Sequence, residues 1–124
     1  MTGQIVTMAV GFDAGVRDRS LGHVLERWKA AIARGERMLL VGDFNVAPTE
    51  PAYRDLAAGL RDVHVEVGLG PGWTWRPARF EGFGVGLLRI DMAFTGPGLV
   101  PRGSAVDCGR PGDHCLLFVT VEPE

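Results

Sequence analysis

The stretch that most constrains the fold is residues 39–48, Leu-Leu-Val-Gly-Asp-Phe-Asn-Val-Ala-Pro. Residues 38–41 form a continuous apolar run of strand length, the pattern of a strand buried in a sheet. The run stops abruptly at Gly42-Asp43-Phe44-Asn45. Asp43 and Asn45 therefore fall at a strand's carboxyl end, where open α/β sheets bind ligands. Two further polar interruptions stand beside apolar strands: Asp91 in Arg89-Ile90-Asp91, and Asp113-His114 before the last apolar run. A buried carboxylate is costly unless it is paired, so packing alone is a poor reason for all three.

The length, 124 residues, suits one small domain, 1–124. Net charge is −2, which excludes binding to nucleic acid by bulk charge but not through a local basic face. Lys29 is the only lysine; the remaining basic residues are arginines, which suit bidentate phosphate contacts. A GC-rich genome gives the same bias. No apolar run approaches the roughly 20 residues that span a membrane, and the first residues lack a signal-type core. A soluble, cytoplasmic protein is expected. In that compartment Cys108 and Cys115, which flank a turn, are expected as reduced thiols.

Residues 4–10 read as a strand. Ser20 reads as the N-cap of a helix, and Leu21, Val24, Leu25, Trp28 and Ile32 give its apolar stripe up to Gly35. Thr49 is expected to cap a short helix with Pro51 in its first turn. Residues 61–67 alternate strictly, with Val63, Val65 and Val67 on one side, and so read as a half-buried strand with His64 at the surface. Short strands are expected at 73–76, 87–94, 104–107 and 115–121. The fold class is α/β (α+β), a mixed β-sheet with helices on one face.

An acid in an apolar strand finds its natural partner in an imidazole. Asp91 paired with His114 would fix the ring's tautomer and raise its basicity. Asp43, Asn45 and Asp113 would add carboxylate and amide oxygens, hard ligands that suit Mg²⁺. Together these point to metal-assisted phosphoryl hydrolysis. Trp73, Trp75, Phe80 and Phe83 either stack on a base or sugar or pack as core and loop anchors. Arg76 and Arg79 are candidates for holding phosphate, and Arg89 reads as structural.

Gly42-Asp43-Phe44-Asn45, Arg89-Ile90-Asp91 and Gly112-Asp113-His114, in that order and spacing, resemble the endonuclease/exonuclease/phosphatase superfamily, of which deoxyribonuclease I-like nucleases are members. The likeness runs from Gln4 to Val121 and corresponds to the second half of such proteins, one half of their four-layer sandwich. The resemblance implies a Mg²⁺ (or Mn²⁺) phosphoesterase acting on a phosphodiester or phosphomonoester, including nucleic acid. It implies catalytic roles for Asp43, Asn45, Asp91 and His114. Asp43 would orient or deprotonate water, Asn45 would hold phosphate, Asp91 would pair with the histidine, and His114 would stabilise charge or exchange a proton. Asp113 and Asp43 would serve the metal, and Asn45, Trp75 and Arg76 would contact substrate. The family's main metal ligand, a glutamate from the first half, has no counterpart here, and Gly11 stands where many members carry a histidine. The metal site is thus expected to be incomplete in this chain, and a homodimer through the uncovered sheet face is expected to replace the missing half. The alternative is a catalytically incompetent half-domain that keeps the fold and acts by binding or self-assembly.

Overall fold

The computed structural model describes residues 3–9, 14–77, 86–109 and 112–124, with 3–9, 14–18 and 20 followed by their backbone. Gly11, Arg79, Phe80 and Phe83 lie outside the described residues.

Strand β1 (Gly3–Ala9) leads through helix α1 (Ala14–Ala33) into β2 (Arg37–Asp43). Then come α2 (Pro51–Ala57), the two-residue β3 (Arg61–Asp62) and the single-turn α3 (Val63–Val67). The chain ends in β4 (Asp91–Thr95), β5 (Leu99–Asp107) and β6 (Leu116–Pro123). One sheet has the order β1-β2-β4-β3, and β5-β6 form a second. The first sheet is mixed: β1 runs parallel to β2, and β4 runs antiparallel to both β2 and β3.

Helices α1 and α2 cover one face of that sheet, while α3 packs against β5. Leu21, Trp28 and Ala31 of α1 and Leu56 of α2 form a single cluster with Met38 and Leu40 of β2 and Met92 and Phe94 of β4. Strand alternation puts those strand residues on one side. On the opposite side Ala93 and Thr95 of β4 are buried where β5 and β6 pack against that strand, while Leu39 and Val41 of β2 stay half-buried.

Local chemistry explains where several elements depart from expectation. α1 starts at Ala14, so Ser20 lies inside it rather than at its cap. Its end is as read: Gly35 takes φ 78° while its N–H bonds the Ile32 carbonyl and that of Glu36 bonds Ala31, a Schellman closure. Glu50, not Thr49, is the N-cap of α2, with Pro51 opening the helix. The strand expected over 61–67 is the clearest correction. Asp62 accepts from the backbone N–H of His64 and Val65, and this N-cap starts a helical turn that leaves Val65 exposed.

His64 is consequently buried, not at the surface. Its Nδ1 lies 3.0 Å from Ser104 Oγ, and its Nε2 lies 3.0 Å from the Gly70 carbonyl. Glycine is required beside it, because a Cβ at Gly68 would come within 2.1 Å of the ring. Arg89 is structural as expected, and its partner is Asp62. The two form a buried bidentate pair at 2.7 and 3.0 Å.

Candidate active site

β2 ends at Asp43 and β4 begins at Asp91, and the register sets the two acids directly opposite each other. Like charges facing across an antiparallel pair destabilise it, so this end of the sheet is not arranged for stability. His114, just before β6, completes the group. Its Nδ1 donates to Asp91 Oδ2 at 2.9 Å, and its Nε2 stands 3.5 Å from Asp43 Oδ2. One ligand atom from each of Asp43, Asp91 and His114 lies within 4.8 Å of the others. The side chains remain 25%, 18% and 37% exposed respectively, so water and a small ligand can reach them.

The segment 73–76 holds the parts in register. Thr74 is fully buried, and its Oγ1 accepts from the backbone N–H of Ile90 and of Asp91. Its carbonyl accepts from Cys115 N–H at 2.6 Å, and Arg76 N–H donates to the Asp113 carbonyl at 2.8 Å. Trp75 forms bridges to Leu88 on one side and His114 on the other. The same few residues thus fix both Asp91 and His114. Thr74 was not legible as part of the site, because its contribution is a hydroxyl acting on distant backbone.

The electrostatics follow from this crowding. Burial pulls the His114 pKa down, but the hydrogen bond and charge of Asp91, with Asp43 and Asp113 further off, outweigh it, and the net shift is upward from 6.5. Asp43 is also raised, from 3.8. Burial is the main cause, countered by the hydrogen bond from Asn45 N–H and by His114, and reinforced by Asp91 and Asp113. The imidazole therefore keeps its proton to a higher pH than usual, beside a carboxylate of raised basicity.

Asn45 follows β2 in a left-handed conformation, φ 50°, and its N–H bonds Asp43 Oδ1 at 2.9 Å. Phe44 and Val46 on either side are fully buried. They anchor the turn that carries Asn45 past the strand end.

Not every predicted residue joins the group. Asp113 is exposed and is not one of the three clustered ligand residues; Asp91 takes its place beside Asp43. Trp75 is half-buried next to His114. Arg76, expected to contact substrate, is fully buried instead. Its Nη1 donates to the Cys108 carbonyl and to Cys115 Sγ, so it offers no surface to a substrate. The cysteines overturn another expectation: Cys108 and Cys115 form a disulfide rather than free thiols. The physical reason is local, since the β5-β6 register ends at Asp107 opposite Leu116 and brings the next residue on each strand face to face.

A family model for the Endonuclease/Exonuclease/phosphatase family matches residues 11–114. The chain belongs to this family. Solved structures agree on the fold. A conserved protein of unknown function from Enterococcus faecalis is 22% identical with a TM-score of 0.76, over 97% of this chain and 50% of its own. A mannosyl-6-phosphatase from Bacteroides thetaiotaomicron is 20% identical with a TM-score of 0.75, over 97% and 50%. A 3'-5' exonuclease from Neisseria meningitidis is 25% identical with a TM-score of 0.66, over 86% and 53%. The chain thus spans about half the length of the solved structures it matches. No curated protein matches it in sequence. Among the described residues no helix is long and apolar enough to cross a membrane.

Proposed function

We propose that the chain carries the histidine half of a divalent-metal-dependent phosphoesterase site, hydrolysing a phosphodiester or phosphomonoester. The observation that supports this most is His114 held between Asp91 and Asp43 at the ends of β2 and β4. Asp91 fixes the ring with Nδ1–H toward itself, so Nε2 is the atom turned to substrate. As an imidazolium, His114 donates from Nε2 to a phosphoryl oxygen as negative charge grows there. The Asp43 carboxylate, with its raised pKa, orients the attacking water and takes its proton. The Asn45 amide holds a second phosphoryl oxygen.

The donor set suits Mg²⁺ or Mn²⁺. Asp43 and Asp91 supply two carboxylates, and Mg²⁺ typically takes one or two together with water and substrate phosphate. When bound, the ion would act as a Lewis acid on the phosphoryl group. Asp113, exposed beside the pair, would reach it through water.

Residues on β6 support the homodimer reading. Leu116 and Phe118 are 43% and 56% exposed, and a second copy would cover them. Light scattering at micromolar concentration checks this, and a monodisperse monomer would remove it. For catalysis, the assay is hydrolysis of bis(p-nitrophenyl) phosphate and p-nitrophenyl phosphate with Mg²⁺, with Mn²⁺ and with chelator. Asp43→Ala and His114→Ala should each lower the rate by about 10²–10⁴-fold while circular dichroism stays native. No hydrolysis with any divalent ion, together with no metal binding by calorimetry, would overturn the proposal and leave a binding module.

A further inference from the structure

We propose that Arg76 and the Cys108–Cys115 disulfide form one clamp that positions His114, and that a dithiol reductant opens it. Only the effect on turnover rests on the reading of His114 as a catalytic residue; the clamp itself does not.

The disulfide is placed for local control. The two cysteines are only seven residues apart in sequence. The global stabilisation from cross-linking grows only slowly with the length of the closed loop, and a loop this short gains less of it than a long one would. What the bridge does fix is the base of the loop that carries His114. That base lies one residue pair beyond the last ladder pair, Asp107 and Leu116.

Arg76 ties the bridge to the site. Its Nη1 donates to the Cys108 carbonyl at 3.2 Å and to Cys115 Sγ at 3.1 Å, touching both arms of the loop. Its backbone N–H holds the Asp113 carbonyl, and Thr74 holds Cys115 N–H. Every residue from 113 to 115 is thus held by the tripeptide 74–76, which also sets Asp91 through Thr74 Oγ1. A guanidinium inside the interior with no exposed area is an expensive way to hold a loop. Its cost is explained if the loop must keep the 2.9 Å contact between His114 and Asp91.

The same arrangement makes the bridge cleavable in one direction. Cys108 borders an open groove lined by Leu69, Pro71, Gly72, Trp73 and Val106. A thiolate of the reductant attacks Cys108 Sγ from that side. The S–S bond breaks, and its electron pair leaves on Cys115 Sγ, whose charge the Arg76 guanidinium stabilises. The reductant's second thiol then resolves the mixed disulfide. Two electrons and two protons pass from the dithiol, which ends as a disulfide, to Cys108 and Cys115, which end as thiols. With the bridge open, only backbone pairing and Arg76 restrain His114, and its contact with Asp91 loosens.

The test uses the intact chain, oxidised and then treated with dithiothreitol. Thiol titration under denaturing conditions should find none before reduction and two after; two free thiols in the air-oxidised protein overturn the proposal. In ¹⁵N-edited NMR, the His114 Nδ1 proton should be slowly exchanging and downfield when oxidised. It should broaden or vanish on reduction and return on reoxidation, with the amide signals outside the 107–116 loop and its contacts, and circular dichroism, unchanged. Arg76→Gln should weaken the same signal with the bridge intact. An unchanged imidazole signal with both thiols free overturns the clamp, and so does global unfolding on reduction, since the bridge would then stabilise the whole fold. In turnover, kcat should fall about tenfold to a hundredfold with little change in KM. If the imidazole responds but no ester is hydrolysed, the clamp stands and the phosphoesterase reading falls. If hydrolysis proceeds equally with the bridge open, the clamp falls and the phosphoesterase reading stands.

Discussion

Replacing Arg89 with methionine should unfold much of the margin on which this domain rests. The Arg89 guanidinium and the Asp62 carboxylate are 6% and 5% exposed, and they meet through two bonds of 2.7 and 3.0 Å. Methionine keeps much of the side-chain volume but removes the positive charge. Asp62 would then be a buried carboxylate with three donors left: Tyr53 Oη and the backbone N–H of His64 and Val65. Breaking a buried ion pair from one side costs about 3–5 kcal/mol. The remaining donors place the expected loss near the low end, about 3 kcal/mol by that scale. For a domain with a typical margin of about 5–15 kcal/mol this is a large fraction. Urea unfolding at pH 7, followed by circular dichroism, measures it. The double variant Arg89→Met, Asp62→Asn removes the stranded charge and should recover part of the loss. A single-variant loss under about 1 kcal/mol would refute the reasoning, because the pair would then behave like an exposed one. A double variant no more stable than the single would refute it as well.

Other outcomes follow from the same contacts. Since His114 and Asp43 both have folded pKa values above their ordinary 6.5 and 3.8, each stabilises most below its ordinary value. That contribution is lost as pH rises through each folded value, so the metal-free chain should lose stability in two steps, one upward from 3.8 for Asp43 and one upward from 6.5 for His114. Asp91→Asn should flatten the His114 part of that loss and lower the His114 titration midpoint seen by NMR; an unmoved midpoint would deny the pairing. Asp43→Asn should abolish metal-dependent hydrolysis yet raise stability by about 0.2–1 kcal/mol, because it removes one of two facing charges; thermal and urea unfolding check the sign. Thr74→Val keeps the shape but orphans the N–H groups of Ile90 and Asp91, costing about 1–3 kcal/mol for each, and Thr74→Ser should restore most of it. Gly68→Ala should cost about 1–3 kcal/mol by overpacking, since its Cβ would sit on the His64 ring.

Much of the frame was legible because it rests on short-range patterns. The run at 38–41 is β2, the stripe from Leu21 to Ile32 is the buried side of α1, and Gly35 ends that helix. Asp43, Asp91 and His114 stood out because polar residues in apolar strands are expensive, and those three residues are the ones the fold brings together. Asp113 looked equally good in the chain, yet the backbone there turns its side chain to solvent and uses its carbonyl instead. Several of the errors share a cause: they depended on a partner that the periodic pattern of the segment itself does not show. Residues 61–67 alternate like a strand, but the Asp62 cap decides their conformation, and that carboxylate is held in turn by Arg89 and Tyr53. His64 looked exposed because its real neighbours, Ser104 and the loop at 68–72, are not visible in the local pattern. Arg76 looked like a phosphate ligand because charge alone does not reveal burial. The cysteines were read by compartment, when strand register had already placed them together.

The arrangement also explains why a site of this kind sits at the sheet's end rather than in its interior. Asp43 and Asp91 face each other across a ladder, a repulsion that the middle of a sheet would have to bear without water. At the strand termini both side chains keep part of their hydration, and His114 enters between them from a different part of the chain. The histidine cannot be held there by its own strand, because β6 begins only after it. It needs an outside brace, and the segment 74–76 joins the loop ahead of β6 to the start of β4. The catalytic candidates are therefore only as well ordered as that brace. Loss of Thr74, Arg76 or the disulfide would reach the chemistry without touching a substrate, and the site's geometry rests on buried residues that carry no obvious catalytic signature of their own.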